Sequence, residues 1–420
     1  MFHRSLAALL GLTLLAGCDA GGSTDDAAGV SSTLRGCETD AAAPTAPGGY
    51  YTSGTTVCTA DGTPHLFHGV DRPSMEWGPG ENIAASDFEM MGQDWHANIV
   101  RVALNQDFWL SGAALYNSNY QHTVDQVVHY AEAAGMDVIL DLHWSDRGDL
   151  SVTTLNGQNQ NGTSNQQQMA DVNSKQFWTE VATKYQNDGH VLFELYNEPN
   201  SISWGVWLNG GMASGYQMVG MQELYDTVRA TGANNLVIAG GLSWSFDLSG
   251  VGGAPINGYN IMYATHPYKP QDAETRWASS FEYLATRDIA PVIATEFGDT
   301  TSTCTGDWDS QLIAACDQYK MNWTAWAWYP ASGGGRPDCS FPALISDWDA
   351  TPTVQGTAVK KALAAYAPSP GGNPDAGVAT MTGSGGANGQ GGASSEGGQA
   401  GATGATPGAS GEGGMSGATQ

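Results

Sequence analysis

Eight short apolar segments recur along the chain, and helix-like segments separate most of them. The apolar segments are HLFHGV (65–70), NIVRVAL (98–104), MDVILDLHW (136–144), VLFELYNE (191–198), NLVIAGG (235–241), NIMYATHPY (260–268), PVIATEFG (291–298) and NWTAWAW (322–328). Runs of this length and composition are typical of buried strands, whereas 120–134, 174–186, 217–230 and 272–287 have the apolar recurrence of amphipathic helices. The alternation predicts an α/β protein with a parallel sheet, and eight units predict a closed (β/α)8 TIM barrel. An open doubly wound sheet is the alternative, but no GxGxxG motif follows an early strand.

The N-terminal segment predicts export. Residues 1–17 combine a basic start with an apolar stretch that is too short to span a membrane, which is typical of a signal peptide. The segment ends in LAGC, which resembles the lipobox of bacterial lipoproteins, and this interpretation makes Cys18 the lipidated N-terminus. The alternative is an ordinary secretory signal followed by an incidental cysteine. We therefore expect either a lipoprotein of the bacterial cell envelope, bound to the membrane only through its lipid anchor, or a secreted protein.

Composition also predicts the domain organisation. Residues 367–420 are rich in Gly, Ala and Ser and contain no Lys, Arg or aromatic residue, so this tail cannot bury enough apolar surface to fold and is expected to be disordered. Residues 18–48 are similar and are expected to form a flexible tether. Residues 49–366 remain, which is a suitable length for a single barrel domain.

Charge and motif content exclude several classes of ligand. The formal net charge of −27 argues against nucleic acid and against anionic membrane surfaces, although solubility of an exported protein is the simpler reason for it. No CxxC or HExxH spacing occurs, so the sequence predicts neither a metal nor another cofactor. A neutral polysaccharide would neither require nor resist the negative charge. We expect a monomer.

Six cysteines in an exported chain predict disulfide bonds. Apart from the cysteine of the lipobox, their number is odd. Cys37 could pair with Cys58 and attach the leader to the first hairpin, and Cys304 could pair with Cys339 between the loops after the last two strands. Cys316, in a helix-like stretch, would then be free.

Polar side chains gather at the C-terminal ends of the predicted strands, where a (β/α)8 barrel has its active site. They are Arg101, Asp141, His143, Asn197, Glu198, His266, Tyr268, Glu296 and Trp326. Any one of them could be a satisfied buried polar group, but their convergence favours a functional site. Glu198 and Glu296 follow different strands, so their carboxyls can face each other across a cleft. Glycoside hydrolysis requires such a pair, one acid that protonates the leaving oxygen and one carboxylate that attacks or activates water.

These motifs together resemble glycoside hydrolase family 5, a family of retaining barrel glycosidases. VRVAL, DLHW, FELYNEP, HPY, TEFG and WTAWAW occur in the family's order. GGLSWSFDLSGV and ALISDWDATPT are also similar to members. The resemblance extends from about residue 50 to residue 366. It implies that Glu198 is the acid/base and Glu296 the nucleophile of a double displacement.

The resemblance also implies roles for the surrounding residues. Arg101 and Tyr268 would bond the Glu296 carboxylate, and His266 would modulate the proton of Glu198. Arg101 could instead be a structural ion-pair partner.

The sugar itself would be bound by other members of the set. Asn197 would bond its 2-hydroxyl, His143 would contact another hydroxyl, and Trp326 would stack beneath the ring. His143 could instead form a buried polar pair with Asp141, and Glu194 is interpreted as a packing or supporting residue.

Loops after the strands supply further candidates for substrate binding. Trp77, Trp144 and Trp244 lie in such loops, where an indole can stack on a pyranose ring, although each could equally be a core residue. The segment 145–173 is long and rich in Asn and Gln, and it is expected to form a wall of the cleft unless it is a floppy insertion.

The sequence therefore predicts a retaining endo-β-glycosidase that needs no cofactor. A β-1,4-glucan (cellulose or mixed-linkage chains) is the expected polysaccharide substrate, and β-mannanase or another β-glucanase of the family is the alternative. A non-catalytic surface lipoprotein that binds glycan is an alternative of another class, but such a protein would be expected to lose Glu198, Glu296 or Asn197.

Overall fold

The computed structural model describes residues 36–38, 43–157, 162–330 and 341–367. The predicted signal peptide, Cys18, most of the predicted tether and the predicted tail after residue 367 lie outside these ranges. Their assignments, and the domain boundaries drawn from them, stay predictions.

Eight parallel strands form a closed barrel in which each strand pairs with its neighbours in chain order. The strands are β1 (His68–Arg72), β2 (Ile99–Asn105), β3 (Asp137–Trp144), β4 (Val191–Glu194), β5 (Val237–Gly240), β6 (Ile261–Thr265), β7 (Val292–Ala294) and β8 (Asn322–Ala325). All eight predicted strands are present, and β8 closes the ring against β1 through Trp323 and His68. The predicted TIM barrel is confirmed.

Helices and short strands surround the barrel. The described α-helices are α1 (Ala85–Glu89), α2 (Gln106–Trp109), α3 (Tyr120–Ala133), α4 (Val172–Tyr185), α5 (Trp204–Asn209), α6 (Met221–Ala230), α7 (Tyr283–Thr286), α8 (Asp307–Tyr319) and α9 (Val354–Tyr366). Met90–Asp94 and Ala278–Glu282 are π-helical, and Glu274–Arg276 is a 3-10 turn. Short strands outside the barrel are Tyr50–Ser53, Thr56–Thr59 and Pro64–His65 before it, Gly211–Ala213 with Tyr216–Met218 after β4, and Tyr268–Lys269 with Gly298–Asp299.

The barrel interior is built in two layers. The lower layer is apolar and consists of Ile99, Ile139, Leu192, Leu236, Ile238, Met262, Ala264 and Ile293, covered by Tyr50, Val57 and Phe67. Because side chains alternate along a strand, the residue two positions after each inward one also faces inward. Arg101, Asp141, Glu194 and Thr295 therefore lie above this apolar layer, and all four are completely buried. The apolar layer separates these polar groups from solvent at the far end of the barrel.

Two of the four predicted helices differ from the structure. Residues 217–220 are not helical, because Tyr216–Met218 pairs with Gly211–Ala213 through a turn with left-handed backbone at Ser214 and Gly215. Residues 272–287 form three short pieces of different helix type instead of one regular helix. The helices predicted at 120–134 and 174–186 are confirmed within two residues at each end.

The N-terminal segment before the barrel is attached to it. Cys37 and Cys58 form the predicted disulfide, and Cys316 is free and buried in α8. Cys304 is disulfide-bonded, whereas Cys339 lies outside the described residues, so that pairing stays a prediction. The carbonyl of Pro47 accepts from the Gly189 amide at 2.9 Å.

No helix within the described ranges is long and apolar enough to cross a membrane.

Candidate active site

A cavity with a volume of about 650 Å³ opens at the C-terminal ends of the barrel strands. Its lining contains seven of the predicted site residues, namely His143, Glu198, Trp244, His266, Tyr268, Glu296 and Trp326. Eight residues that the sequence did not single out complete the lining: Gln166, Ser243, Gln271, Asp272, Arg276, Thr300, Phe341 and Pro342. The cavity is mixed in character, with indole and phenyl rings beside carboxyls and amides.

Glu198 and Glu296 lie close together on the cavity floor. Glu198 follows the end of β4 and Glu296 follows the end of β7, so the barrel geometry brings together residues that are 98 positions apart. A carboxylate oxygen of each lies within 4.8 Å of the other. Both side chains are buried apart from the surface that faces the cavity.

Glu296 is surrounded by groups that favour its ionised form. Arg101 donates to one carboxylate oxygen at 2.6 Å, and the Tyr268 hydroxyl donates to the other at 2.8 Å. The His266 Nδ1 atom lies 3.7 Å from the same carboxylate. Burial alone would raise the pKa of Glu296, but the charges of His266 and Arg101 outweigh burial and lower the pKa to about 2. Glu296 is therefore a carboxylate at neutral pH.

Glu198 has the opposite environment. Burial, and to a lesser degree the charge of Glu296, raises its pKa, although the hydrogen bond between Glu198 and His266 opposes this. His266 Nδ1 lies 3.0 Å from Glu198 Oε1, and the ring is completely buried. Burial would lower the pKa of His266, but the charge of Glu296 and the contacts with Glu194 and Glu198 raise it to about 10. The Glu198–His266 pair therefore retains a proton at neutral pH.

Arg101 is the central cation beneath the cavity floor. Its guanidinium lies 2.6 Å from Glu194, 2.6 Å from Glu296, 2.9 Å from Asp141 and 3.1 Å from Asp71. We call these five residues the Arg101 cluster. One cation cannot neutralise four carboxylates, and burial raises the pKa of Asp71 and of Asp141 well above the usual range despite Arg101.

Asn197 and His143 lie next to this cluster. The Asn197 carbonyl oxygen accepts from Arg101 at 2.7 Å, and its amide nitrogen lies 3.2 Å from His143 Nε2. His143 Nδ1 lies 2.6 Å from Asp141, and burial lowers the pKa of His143, so the ring is neutral with a proton on Nδ1 toward Asp141. The indole of Trp326 is nearly parallel to the His143 ring, with centroids 5.8 Å apart.

Trp244 projects into the cavity from a constrained turn. Ser243, Trp244 and Ser245 all have left-handed backbone, with φ between 55° and 60°. This conformation is costly for residues other than glycine and persists only where surrounding contacts enforce it. Here the Trp244 amide donates to the Pro199 carbonyl at 3.1 Å and the Ser245 hydroxyl to the Asn197 carbonyl at 2.6 Å. The indole is 53% exposed, which is unusual for a tryptophan.

The structure does not bring all predicted site residues to the cavity surface. Arg101 and Asn197 lie beneath it: Arg101 contacts Glu296 from below, and Asn197 contacts Arg101. Trp144 is buried and Trp77 packs edge-on against Tyr329 at 5.6 Å, and neither lines the cavity. From the segment 145–173, Gln166 reaches the lining, as expected for a wall, while residues 158–161 lie outside the described ranges.

Two residues that contact the charged groups of the site, Asp71 and Thr295, were not predicted from the sequence. Asp71 on β1 pairs in register with Arg101, and Thr295 lies between His266 and Glu194. Strand alternation could have indicated both, because each has the parity of an inward-facing residue. Arg276 and Phe341 had no comparable signal, since Arg276 ends a short 3-10 turn and Phe341 lies in a loop.

The three cavity residues Glu198, His266 and Glu296 have the spacing of metal ligands, with one candidate atom from each within 4.8 Å of the others. A metal requires a deprotonated imidazole nitrogen. Both ring nitrogens of His266 already have partners at 2.9–3.0 Å, and its raised pKa opposes the free lone pair that a metal would need. The set fits proton transfer better than metal binding.

Comparison with solved structures identifies the same fold. A β-glucanase of Saccharophagus degradans in complex with cellotetraose superposes with a TM-score of 0.60 at 22% identity, over 80% of this chain and 97% of that chain. The catalytic domain of the Thermobifida fusca endoglucanase Cel5A gives a TM-score of 0.56 at 19% identity, over 75% and 97% of the two chains.

Comparison of the sequence with known proteins identifies relatives and a family. Endoglucanase MaCel5A of Microbulbifer sp. (strain ALW1) is 27% identical over 295 residues, which are 66% of this chain and 51% of that protein. Endoglucanase E-5 of Thermobifida fusca is 26% identical over 286 residues, or 65% and 54% of the two chains. The chain thus spans about half the length of these curated relatives. Residues 58–332, which include Glu198 and Glu296, match the family described as Cellulase (glycosyl hydrolase family 5), and the chain belongs to this family.

Proposed function

We propose that the protein is a retaining endo-β-glycosidase that hydrolyses a β-linked glucan through a covalent intermediate on Glu296. The distance between the two carboxyls carries the proposal. Retaining glycosidases have carboxyls about 5–5.5 Å apart, whereas inverting enzymes need about 6.5–9.5 Å to admit a water molecule. Oxygens of Glu198 and Glu296 lie within 4.8 Å of each other, which leaves room for direct attack but not for an intervening water.

In the first step, Glu296 attacks the anomeric carbon while the Glu198 carboxyl transfers its proton to the glycosidic oxygen. The carbon–oxygen bond to the leaving sugar breaks, a glycosyl ester forms on Glu296, and the leaving sugar departs as an alcohol. The opposite pKa shifts of the two carboxyls suit these roles. Asn197, fixed by Arg101, has an amide N–H available for the 2-hydroxyl, a contact that strengthens as positive charge develops on the ring.

In the second step, Glu198, now a carboxylate, takes a proton from water. The resulting hydroxide attacks the anomeric carbon and the ester bond to Glu296 breaks. Two inversions restore the original anomeric configuration. Both carboxyls return to their starting protonation states, so no cofactor is consumed.

A β-1,4-glucan is the substrate class that we favour. The two relatives described above are named endoglucanases, and the Saccharophagus β-glucanase of the same fold was solved with cellotetraose. The cavity is open to solvent, and its aromatic residues Trp244, Trp326 and Phe341 suit the apolar faces of pyranose rings. β-Mannan is the alternative, because the catalytic residues alone do not distinguish the two sugars.

The test is release of reducing sugar by the full chain from carboxymethyl-cellulose, barley β-glucan, glucomannan, galactomannan, laminarin and xyloglucan. We expect release from the first two, abolished in Glu198→Ala and Glu296→Ala. Azide then assigns the roles with an aryl cellobioside: Glu198→Ala should give a glycosyl azide of retained configuration and Glu296→Ala one of inverted configuration. Release from galactomannan alone would move the substrate to β-mannan. Binding of these glycans by a folded wild-type protein that releases no sugar would establish the glycan-binding alternative instead.

We also propose that the chain is anchored through a lipid on Cys18. The support is the LAGC sequence after the apolar segment, together with the disulfide of an oxidising compartment at Cys37–Cys58. Cys18→Ser should release the protein from the membrane fraction of an expressing bacterium. Unchanged partitioning would contradict the lipoprotein assignment.

A further inference from the structure

A continuous chain of buried hydrogen bonds joins the two carboxyls behind the cavity floor. His266 contacts Glu198 through Nδ1 at 3.0 Å and Thr295 through Nε2 at 2.9 Å. The Thr295 hydroxyl donates to Glu194 at 2.9 Å, and Glu194 accepts from Arg101 Nε at 2.6 Å. Arg101 in turn bonds Glu296 at 2.6 Å. His266, Thr295, Glu194 and Arg101 are all at most 1% exposed.

Glu194 determines the direction of the hydrogen bonds between itself, Thr295 and His266. Glu194 is ion-paired with Arg101 and can only accept, so the single hydroxyl hydrogen of Thr295 points to Glu194. The Thr295 oxygen must then accept from His266, which places a hydrogen on Nε2. Nδ1 is left as the variable position, either a lone pair that accepts from a protonated Glu198 or an N–H that donates to ionised Glu198.

We propose that Thr295 and Glu194 are positioning residues that force a hydrogen onto His266 Nε2, so that the one proton shared between His266 Nδ1 and Glu198 is available for the leaving group. This inference rests on the proposed role of Glu198 as the acid. A neutral His266 with its hydrogen on Nε2 can only accept from Glu198 and therefore favours the protonated acid. The other neutral tautomer would donate from Nδ1 and favour the carboxylate, which cannot act as an acid.

Several other charged groups face His266 and also influence its protonation. Glu296 lies 3.7 Å and Glu194 3.9 Å from its ring nitrogens. Asp141 on β3 and Asp272 in the loop after β6 interact with its charge from greater distance. A Thr295 variant replaces none of these residues, and the bonds it removes are those that join Thr295 to His266 and to Glu194.

Thr295→Val removes the hydroxyl and keeps the branched shape. We compare kcat/KM on cellotetraose, whose leaving sugar needs a proton, with kcat/KM on dinitrophenyl β-cellobioside, whose leaving group does not. The variant should lose about tenfold on cellotetraose, part of the 10²–10⁴ that a general acid supplies, and change less than about twofold on the aryl substrate. The basic limb of the cellotetraose pH profile should move to lower pH. Thr295→Ser should restore both.

Thr265→Val is the matched control. Thr265 precedes His266 in the chain, is completely buried, and donates its hydroxyl to the Phe246 carbonyl at 3.0 Å without contact to a carboxyl. This variant should keep the ratio of the two substrates and the pH profile of the wild type. Equal losses on both substrates in Thr295→Val, or a similar profile shift in Thr265→Val, would overturn the proposal.

A second readout does not depend on activity. The ring nitrogen shifts of His266 in the wild type, assigned by comparison with His266→Asn, should show a protonated Nε2 across neutral pH. A pyridine-like Nε2 would overturn the inference even if the enzyme hydrolyses glucan. A protonated Nε2 in a protein that cleaves none of the six polysaccharides would instead refute the proposed function and leave the hydrogen-bond geometry intact.

Discussion

Two buried acidic clusters lie at the same end of the barrel, and they differ in how their charge is compensated. The Arg101 cluster contains four carboxyls around a guanidinium, with His266 alongside. The second cluster, which we call the Asp107 cluster, consists of Asp107, Asp146 and Asp171. All three are at most 1% exposed, and within the described ranges no Lys or Arg forms an ion pair with any of them.

The Asp107 cluster relies on neutral donors. The Gln106 amide lies 3.1 Å from an oxygen of Asp146 and of Asp171, and the Asp146 and Gly148 amides donate to Asp171 and Asp146. Burial, with the charges of its neighbours, raises the pKa of Asp107 and of Asp146 to about 6, and that of Asp171 to about 7. Asp171 is also the N-cap of α4, a position that ordinarily favours a carboxylate, so burial outweighs the helix terminus here.

The difference shows what a buried cation contributes. In the Arg101 cluster the positive charges separate the pKa values, so that Glu296 is ionised while the pKa of Glu198 beside it is raised. In the Asp107 cluster all three pKa values rise together. The first arrangement supports acid and nucleophile at one pH, whereas the second makes the anchoring of the loop after β3 dependent on pH.

Arg101→Met should produce the largest loss of stability and activity, since it leaves the four carboxyls of the Arg101 cluster without their cation, as in the Asp107 cluster. Leaving buried carboxylates without their cation typically costs about 3–5 kcal/mol. We expect a loss of that size in urea unfolding at pH 7, a smaller loss at pH 5 as the carboxyls protonate, and no measurable glucan hydrolysis.

Arg72→Met is the matched control for this variant. Arg72 is equally buried but pairs with a single carboxyl, Asp87, at 2.8 Å outside the cavity. It should lose stability and retain turnover per folded molecule. Equal pH dependence of unfolding in the two variants would contradict the special role of the Arg101 cluster.

Asp107→Asn should remove the cost of ionising one buried carboxyl of the Asp107 cluster. The pKa of Asp107 rises from 3.8 to about 6 on folding, so the protonated form is favoured in the folded state. Its contribution to stability is present below pH 4 and lost as pH rises through about 6. We expect the variant to be more stable than the wild type at pH 8 by on the order of 2–3 kcal/mol and nearly equal at pH 4. Urea unfolding at both pH values measures this.

The exposed neighbour Asp149 provides the control for charge removal alone. Bonds from Ser151 lower the pKa of Asp149, so Asp149→Asn should be no more stable than the wild type at pH 8. If Asp107→Asn were also no more stable than the wild type at pH 8, the three carboxyls would not share a burial penalty.

Trp244→Ala should produce the smallest change, because it touches neither cluster. Its indole is half-exposed at the cavity, so we expect KM for cellotetraose to rise about tenfold, equivalent to about 1.4 kcal/mol. Stability and both pH dependences should match the wild type. A shift in the pH profile would mean that Trp244 also shields the carboxyls from solvent.

Local patterns in the sequence predicted much of this molecule. Apolar runs of strand length predicted all eight strands, because a strand buried on both faces needs apolar residues on both. The positions of Glu198 and Glu296 just past two of those strands predicted their meeting, since parallel strands in a barrel end at one rim. The sequence did not predict residues such as Thr295, whose role is to bond the side chains of other site residues.

Regions of irregular backbone were predicted poorly. The helix expected at 272–287 has a suitable apolar recurrence, yet it forms three short pieces, and Asp272 and Arg276 from this region line the cavity. Trp144 and Trp244 had equivalent sequence contexts, but one is buried and the other 53% exposed. The left-handed turn that exposes Trp244 depends on bonds to Asn197 and Pro199, which are distant in sequence.

The sequence by itself determined the barrel, the rim at which chemistry occurs and the family to which the chain belongs, because periodicity, composition and short motifs are local properties. Only the tertiary structure decided which carboxyls are ionised. That choice depends on whether a buried acid lies against Arg101 and His266 or against other acids, and therefore on the register between strands. A shift of one residue in that register would turn these side chains to the other face of their strand and remove the carboxyls from Arg101 and His266.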